Sequence, residues 1–288
     1  MDPVYHIPVL LHEVLDGLAI KPDGIYVDCT FGGGGHSKAI LGKLGTNGKL
    51  FAFDQDADAK RNLPNDDRIV FVPHNFRHLQ RFLRLNGVQL VDGIMADLGV
   101  SSHQFDEADR GFSTRFEGDM DMRMDQRQEL TAFNVVNTYS EPQLHKMFEQ
   151  YGEVTNSKTL AKTIVSARKS VSLKTISHFK MALQSVVKGN PHKYFAQVFQ
   201  ALRIEVNDEF GVLDKFLEKL PFALAPGGRV AILSFHSGED RRVKKSFQSL
   251  FREGIYSEVA PDPIRASAEE CFANPRARSA KLRWAIKK

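Results

Sequence analysis

Hydrophobic and polar positions follow two regimes along the chain. Between residues 24 and 98, short apolar runs bounded by turn residues recur at Gly24–Asp28, Lys49–Asp54, Arg68–Val72 and Gly93–Asp97. Runs of this kind predict strands of a parallel sheet covered on both faces, because a strand buried on both sides has no polar face to show. A helix over His36–Leu44 separates the first two strands. From about Asp106 the period becomes helical. Ser140 before Glu141-Pro142 is a start signal, followed by Leu144, Met147, Phe148 and Tyr151. Further stripes run through Leu160, Ile164 and Ala167, through Ile176, Phe179, Leu183 and Val186, and through Phe195, Val198, Phe199, Leu202 and Val206. The mixed pattern then resumes with a helix at Asp208–Leu220, a turn at Pro226-Gly227-Gly228, a strand at Arg229–Phe235 and a closing strand at Leu282–Ile286. The expected architecture is a doubly wound α/β domain, residues 1–105 and 208–288, with an all-helical domain inserted at 106–207.

Composition narrows the class. With 288 residues, 42% of them hydrophobic and 26% charged, the chain can bury a sizeable core, which excludes wholesale disorder. No apolar run approaches the roughly 20 residues that span a bilayer, and MDPVYHIPVLLHEV lacks a charged-then-apolar leader, so a soluble, cytoplasmic protein is expected. Two cysteines, Cys29 and Cys271, make no disulfide framework, and no Cys/His set has zinc spacing; no metal site is expected.

The net charge of +4 says little, but its distribution says more. Residues 155–203 carry nine basic side chains and no acid, and residues 241–288 carry twelve basic against five acidic. The remainder carries 18 basic against 30 acidic. An acidic body with two cationic segments suits a small-molecule site beside a polyanion, nucleic acid first among candidates. Solvated lysine faces on helices 157–169 and 174–187 are the alternative.

The segment Asp28-Cys29-Thr30-Phe31-Gly32-Gly33-Gly34-Gly35-His36 joins a predicted strand to a predicted helix. Glycines there admit a ligand close to the backbone. The dinucleotide spacing G-x-G-x-x-G would need glycine at Ser37 or Lys38, and the Walker spacing is absent, so a phosphate-bearing cofactor is disfavoured. A second acid, Asp54, ends the next strand 22 residues after Gly32, where a carboxylate can accept from both hydroxyls of a ribose. This set suits S-adenosylmethionine, whose sulfonium and amino-acid tail favour acids and backbone groups. The alternative is a flexible turn with Asp54 as a cap. Asp97 ends the fourth strand, and Asp28, Asp54 and Asp97 are expected to line one crevice beyond the carboxyl ends of the strands; each is alternatively an N-cap.

Beyond spacing, the chain contains HIPVLLHE at 6–13, DCTFGGGGHS at 28–37, DLGVSS at 97–102, RGFS at 110–113 and DMRMD at 121–125. FQALRIEVNDE at 199–209, APGGR at 225–229, ILSFHS at 232–237 and NPRARSAKLR at 274–283 follow. With these motifs over nearly its whole length, the sequence closely resembles the bacterial small-subunit ribosomal-RNA methyltransferase H family. The resemblance implies a class I S-adenosylmethionine-dependent methyltransferase fold with a helical, RNA-recognising insertion. It also implies methylation of the N4 amine of a cytidine in 16S rRNA, within the 30S subunit. Carried over by motif, the cofactor contacts are Gly34, Gly35, His36, Asp54, Phe76, Asp97 and Gln104. Phe76 would pack on the adenine face and Gln104 would bond near the methionine end; a core aromatic and a loop cap are the alternatives. Asp97 or the Ser101/Ser102 loop is the expected acceptor for the amine, and His236 a candidate proton relay or a structural histidine. Arg241, Arg242, Lys244 and Lys245, with Arg276, Arg278, Lys281 and Arg283, are expected on phosphates.

The sequence departs from the family pattern at Asp119, where proline is usual, at Gly238, where leucine is usual, and in Val154-Thr155-Asn156 after the Tyr151-Gly152-Glu153 stretch. These departures bear on the RNA-facing part. Competing functions are a DNA-cytosine or small-molecule methyltransferase on the same fold, or an RNA-binding protein with a vestigial nucleoside pocket.

Overall fold

The computed structural model of the protein describes residues 8–288. The chain divides into two compact units, one formed by residues 8–99 and 211–288 and the other by Val100–Phe210.

The first unit holds a seven-stranded sheet: β1 Ile25–Asp28, β2 Lys49–Phe53, β3 Ile69–Val72, β4 Val91–Asp97, β5 Leu224–Ser234, β6 Tyr256–Val259 and β7 Lys281–Lys287. Their order is β3-β2-β1-β4-β5-β7-β6. The first five strands pair in parallel, and β7 runs antiparallel to both β5 and β6. Residues alternate between two covered faces, as a period of two requires. Val27, Phe51, Ile94 and Val230 point to one face, under α3 (Leu79–Leu85), α10 (Glu209–Lys219) and α11 (Ser237–Arg252). Tyr26, Leu50, Met95 and Ala231 point to the other, under α1 (Leu11–Leu18) and α2 (Gly35–Leu41). Both faces are apolar, which is why the strands read as continuous apolar runs, and the architecture is the expected doubly wound α/β.

Several bounds differ from the pattern reading. Strand β5 starts five residues before Arg229 and runs through Pro226-Gly227-Gly228; a register shift between Val91 and Gly93 of β4 absorbs that turn inside the strand. Helix α2 stops at Leu41, where Gly42 caps it, and not at Leu44. Strand β6, which the pattern did not reveal, is a short edge strand with Ser257 and Glu258 exposed.

The second unit contains α4 (Ser102–Asp106), α5 (Ala132–Thr138), α6 (Glu141–Gly152), α7 (Ser157–Ala167), α8 (Ile176–Leu183) and α9 (Pro191–Asn207). Helix α9 begins with Asn190, whose side chain accepts from the His192 and Lys193 amides, and with Pro191 at the first helical position. Its buried stripe, Phe195, Val198, Phe199 and Leu202, packs with Leu144, Phe148, Leu160, Ile164 and Phe179 into one core. Each such side chain contributes about 1.5–3 kcal/mol by leaving water. At the end of α9, Asn207 fixes the DMRMD loop: its Nδ2 donates to the Met122 carbonyl at 2.8 Å, and its Oδ1 accepts from the Met124 amide at 2.7 Å. Arg123 pairs with Asp121 at 2.7 Å and donates to the Gln128 carbonyl at 2.8 Å. These two motifs therefore hold one another within this unit.

Candidate active site

Strand order reverses between β1 and β4, and in open α/β sheets ligands lie beyond the carboxyl ends of the strands at that reversal. Asp28 ends β1, Asp97 ends β4, and Asp54 follows β2 directly. The three acids do different things there.

Asp28 is fully buried and does not line the crevice as expected. Its carboxylate accepts from Ser37 Oγ at 2.7 Å and from the Thr30 amide at 3.0 Å, bracing the glycine loop between β1 and α2. Burial pushes its pKa up, against the Ser37 hydrogen bond. Asp54 is half-buried and accepts from the Gly32 amide at 2.8 Å and the Asp56 amide at 2.8 Å. It thereby ties the loop to the end of β2, and Asn62 Nδ2 donates to the Gly32 carbonyl at 2.9 Å from the other side. Desolvation pushes Asp54 up to about 7 in spite of the two amides. Within the loop Gly32 and Gly34 have φ of 50° and 75°, the left-handed region that glycine adopts without strain. An added Cβ at Gly34 would lie 2.9 Å from the Phe31 ring, and one at Gly35 would lie 2.4 Å from Pro8 Cγ.

Asp97 is anchored through its amide, which donates to Thr30 Oγ1 at 2.7 Å. Its Oδ2 lies 3.7 Å from His36 Nδ1, whereas its Oδ1 is buried and accepts no hydrogen bond among the described residues. Desolvation pushes this carboxyl up to about 6, with His36 pulling it down and Asp28 and Glu239 adding to the rise. A buried carboxylate oxygen without a donor is costly unless a ligand supplies one, so Asp97 Oδ1 marks a place for an ammonium, an amine or another positive group.

The chain matches the family model described as MraW methylase family over residues 3–288. It belongs to that family. Its relatives include the ribosomal RNA small subunit methyltransferase H of Flavobacterium johnsoniae, 51% identical over 98% of each chain. The protein of the same name from Christiangramia forsetii is 50% identical over 98% of each chain. A third, from Bacteroides thetaiotaomicron, is 48% identical over 99% of this chain and 98% of that one.

The remaining residues singled out in the methylase's sequence fall as follows. The His36 ring is 6% exposed and its Nε2 lies 3.1 Å from the Val9 carbonyl oxygen, so the ring faces inward. Phe76, half-buried after β3, meets Phe216 edge-on with centroids 4.9 Å apart. Gln104 belongs to the second unit, where it forms a capping box with Ser101: its Oε1 accepts from the Ser101 amide at 3.1 Å and its amide donates to Ser101 Oγ at 3.2 Å. The Ser102 side chain lies outside the described residues. His236 is the N-cap of α11: its Nδ1 accepts from the Glu239 amide, and its Nε2 lies 3.2 Å from Glu239 Oε1.

Of the cationic residues, Lys281 and Arg283 pair with Asp240 at 3.1 and 2.7 Å, and Arg283 is 5% exposed. Through Asp240 they tie β7 to α11. Arg242 lies 3.2 Å from Asp214. Arg241, Lys244, Lys245 and Arg278 are exposed.

Proposed function

We propose that the protein transfers the methyl group of S-adenosylmethionine to the exocyclic N4 amine of a cytidine in 16S rRNA, with the small ribosomal subunit as the physiological substrate. The observation that carries this reading is the buried Asp97 Oδ1, without a donor among the described residues, at the carboxyl end of β4 beside the loop that Asp54 ties down.

The residues present fit the cofactor. Asp54 retains lone pairs for the two ribose hydroxyls, Phe76 offers a ring to the adenine, and the Gly34-Gly35-His36 backbone allows close approach. Asp97 supplies negative charge near the cationic end. When bound, S-adenosylmethionine supplies an electrophilic methyl on a sulfonium. The chain's task is the amine. Its lone pair is delocalised into the pyrimidine ring and attacks poorly. A carboxylate oxygen that accepts an N–H draws the nitrogen toward tetrahedral geometry and stabilises the positive charge that develops there. Asp97 Oδ1 has no other hydrogen bond among the described residues to give up. His236, whose Nδ1 accepts from the Glu239 amide, serves this reading as a positioning group at the start of α11. Arg241, Lys244, Lys245 and Arg278 supply the salt-dependent hold on RNA phosphates.

The test is tritiated methyl transfer to free 16S rRNA and to 30S particles, both from cells lacking the enzyme, followed by nucleoside analysis. Label in N4-methylcytidine from 30S particles supports the proposal. Label in another nucleoside, or in none, overturns it.

A further inference from the structure

His36 occupies a position that a cofactor contact alone does not explain. Its side chain is buried and lies between two groups far apart in sequence: the Val9 carbonyl oxygen, 3.1 Å from Nε2, and Asp97 Oδ2, 3.7 Å from Nδ1. A carbonyl oxygen only accepts, so Nε2 carries the ring's hydrogen. The other ring nitrogen, Nδ1, faces the carboxylate proposed to bind the amine. The Val9 carbonyl is itself fixed by its surroundings. The next residue, Leu10, is fully buried at φ 51°, with its amide donating to Glu270 Oε1 at 2.7 Å, and Pro8 packs against Gly35.

We propose that His36 is a positioning residue for the transfer: clamped at Nε2 by the Val9 carbonyl, it presents Nδ1 to Asp97 Oδ2, keeps that carboxylate ionised and oriented, and so leaves Oδ1 as the oxygen that takes the amine. This deepens the methyl-transfer reading and rests on it. A neutral ring in this tautomer turns a lone pair toward Oδ2, and a protonated ring turns an N–H toward it. A cationic ring beside Oδ2 favours the anionic form of Asp97, which desolvation opposes. The other charged groups acting on the pair are Asp28 at the end of β1 and Glu239 on α11, which oppose ionisation of Asp97, and Arg276 after α12 (Ala268–Ala273), which favours it.

Two measurements on the full-length protein test this. The first compares pH profiles of kcat/KM for the wild type and His36→Gln, whose side chain is neutral at every pH, with cofactor affinity measured separately by calorimetry. Loss of a cation near Asp97 must move the acidic limb upward by about 1–3 pH units, with the rate returning toward the wild-type value at high pH. An unmoved limb overturns the proposal, as does a loss of activity at all pH values together with lost cofactor binding. The second is the long-range ¹H–¹⁵N spectrum of the His36 ring in the wild-type protein, assigned by comparison with the variant or, if the variant does not fold, through backbone correlations. A hydrogen on Nε2 is expected together with one on Nδ1 turned toward Oδ2; a ring with its hydrogen on Nδ1 alone overturns the clamp, and a ring with none on Nδ1 overturns the ionising role. The tautomer is read without turnover, so a protein that methylates no RNA would defeat the functional reading while this measurement still decides the clamp.

Discussion

Asp54 gives the account a prediction that links stability to binding. Desolvation pushes its carboxyl from 3.8 up to about 7 in the ligand-free fold. A raised folded-state pKa means that the folded chain holds the proton more tightly than the unfolded chain. The resulting stability is fully present below pH 3.8 and is lost as pH rises toward 7. A gap of about three pH units at about 1.4 kcal/mol each amounts to roughly 4 kcal/mol. The perturbation is Asp54→Asn, which removes the titration. Asparagine offers one acceptor oxygen where Asp54 offers two to the Gly32 and Asp56 amides, so the variant's absolute stability shifts as well, and the informative quantity is the difference in slope. Urea unfolding of the ligand-free proteins between pH 4 and pH 8 measures it. The wild type must lose stability with rising pH by a few kcal/mol more than the variant. Asp97, also pushed up, contributes in the same direction in both proteins and cancels. Saturating S-adenosylmethionine, whose ribose hydroxyls favour the ionised carboxylate, must flatten the wild-type slope. Parallel slopes for the two ligand-free proteins would refute the reasoning.

Other outcomes follow from the same physical arguments. Asp240→Asn leaves Arg283, 5% exposed, without its anionic partner and must cost about 3–5 kcal/mol in urea unfolding; a cost under about 1 kcal/mol would show that water reaches the guanidinium. Gly35→Ala places a Cβ 2.4 Å from Pro8 Cγ, and since a proline ring cannot swing aside, the melting transition must fall in keeping with a loss of about 1–3 kcal/mol; an unchanged transition would mean that the Pro8 segment yields freely. Reversing charge at Lys244, Lys245 and Arg278 must weaken RNA binding and make it less sensitive to salt, the logarithmic slope falling by about one for each phosphate no longer neutralised, with cofactor affinity unchanged. An unaltered salt slope would remove these residues from the RNA-binding surface.

The sheet was legible because its strands are covered on both faces. Ile25–Asp28, Lys49–Phe53 and Val91–Asp97 are apolar on each side, and no alternative period fits them. Tyr256–Val259 escaped notice because an edge strand with two exposed residues leaves almost no apolar signature. The start of β5 was misread because Pro226-Gly227-Gly228 signals a turn equally well whether the turn ends a strand or bulges within one. At the site, spacing brought Asp54 and Asp97 to the carboxyl ends of β2 and β4, on either side of β1, but could not distinguish them from Asp28. That difference lies in Ser37 and Thr30, which occupy both oxygens of Asp28, and in the lack of a donor to Asp97 Oδ1 among the described residues. The pairing of Lys281 and Arg283 with Asp240 spans more than 40 residues and has no local trace, so both looked like free cations in the sequence.

The claim on which the rest depends is that Asp97 engages the target amine through Oδ1, in addition to the negative charge it presents near the cofactor's cationic end. Single-turnover methyl transfer to 30S particles, with Asp97→Asn compared to the wild type at saturating S-adenosylmethionine and its affinity measured independently, tests this most directly. The account predicts a transfer rate lower by about 10²–10³-fold, the range for losing one charge-stabilising group, with the variant still saturable by cofactor. An undiminished rate at saturation would contradict it.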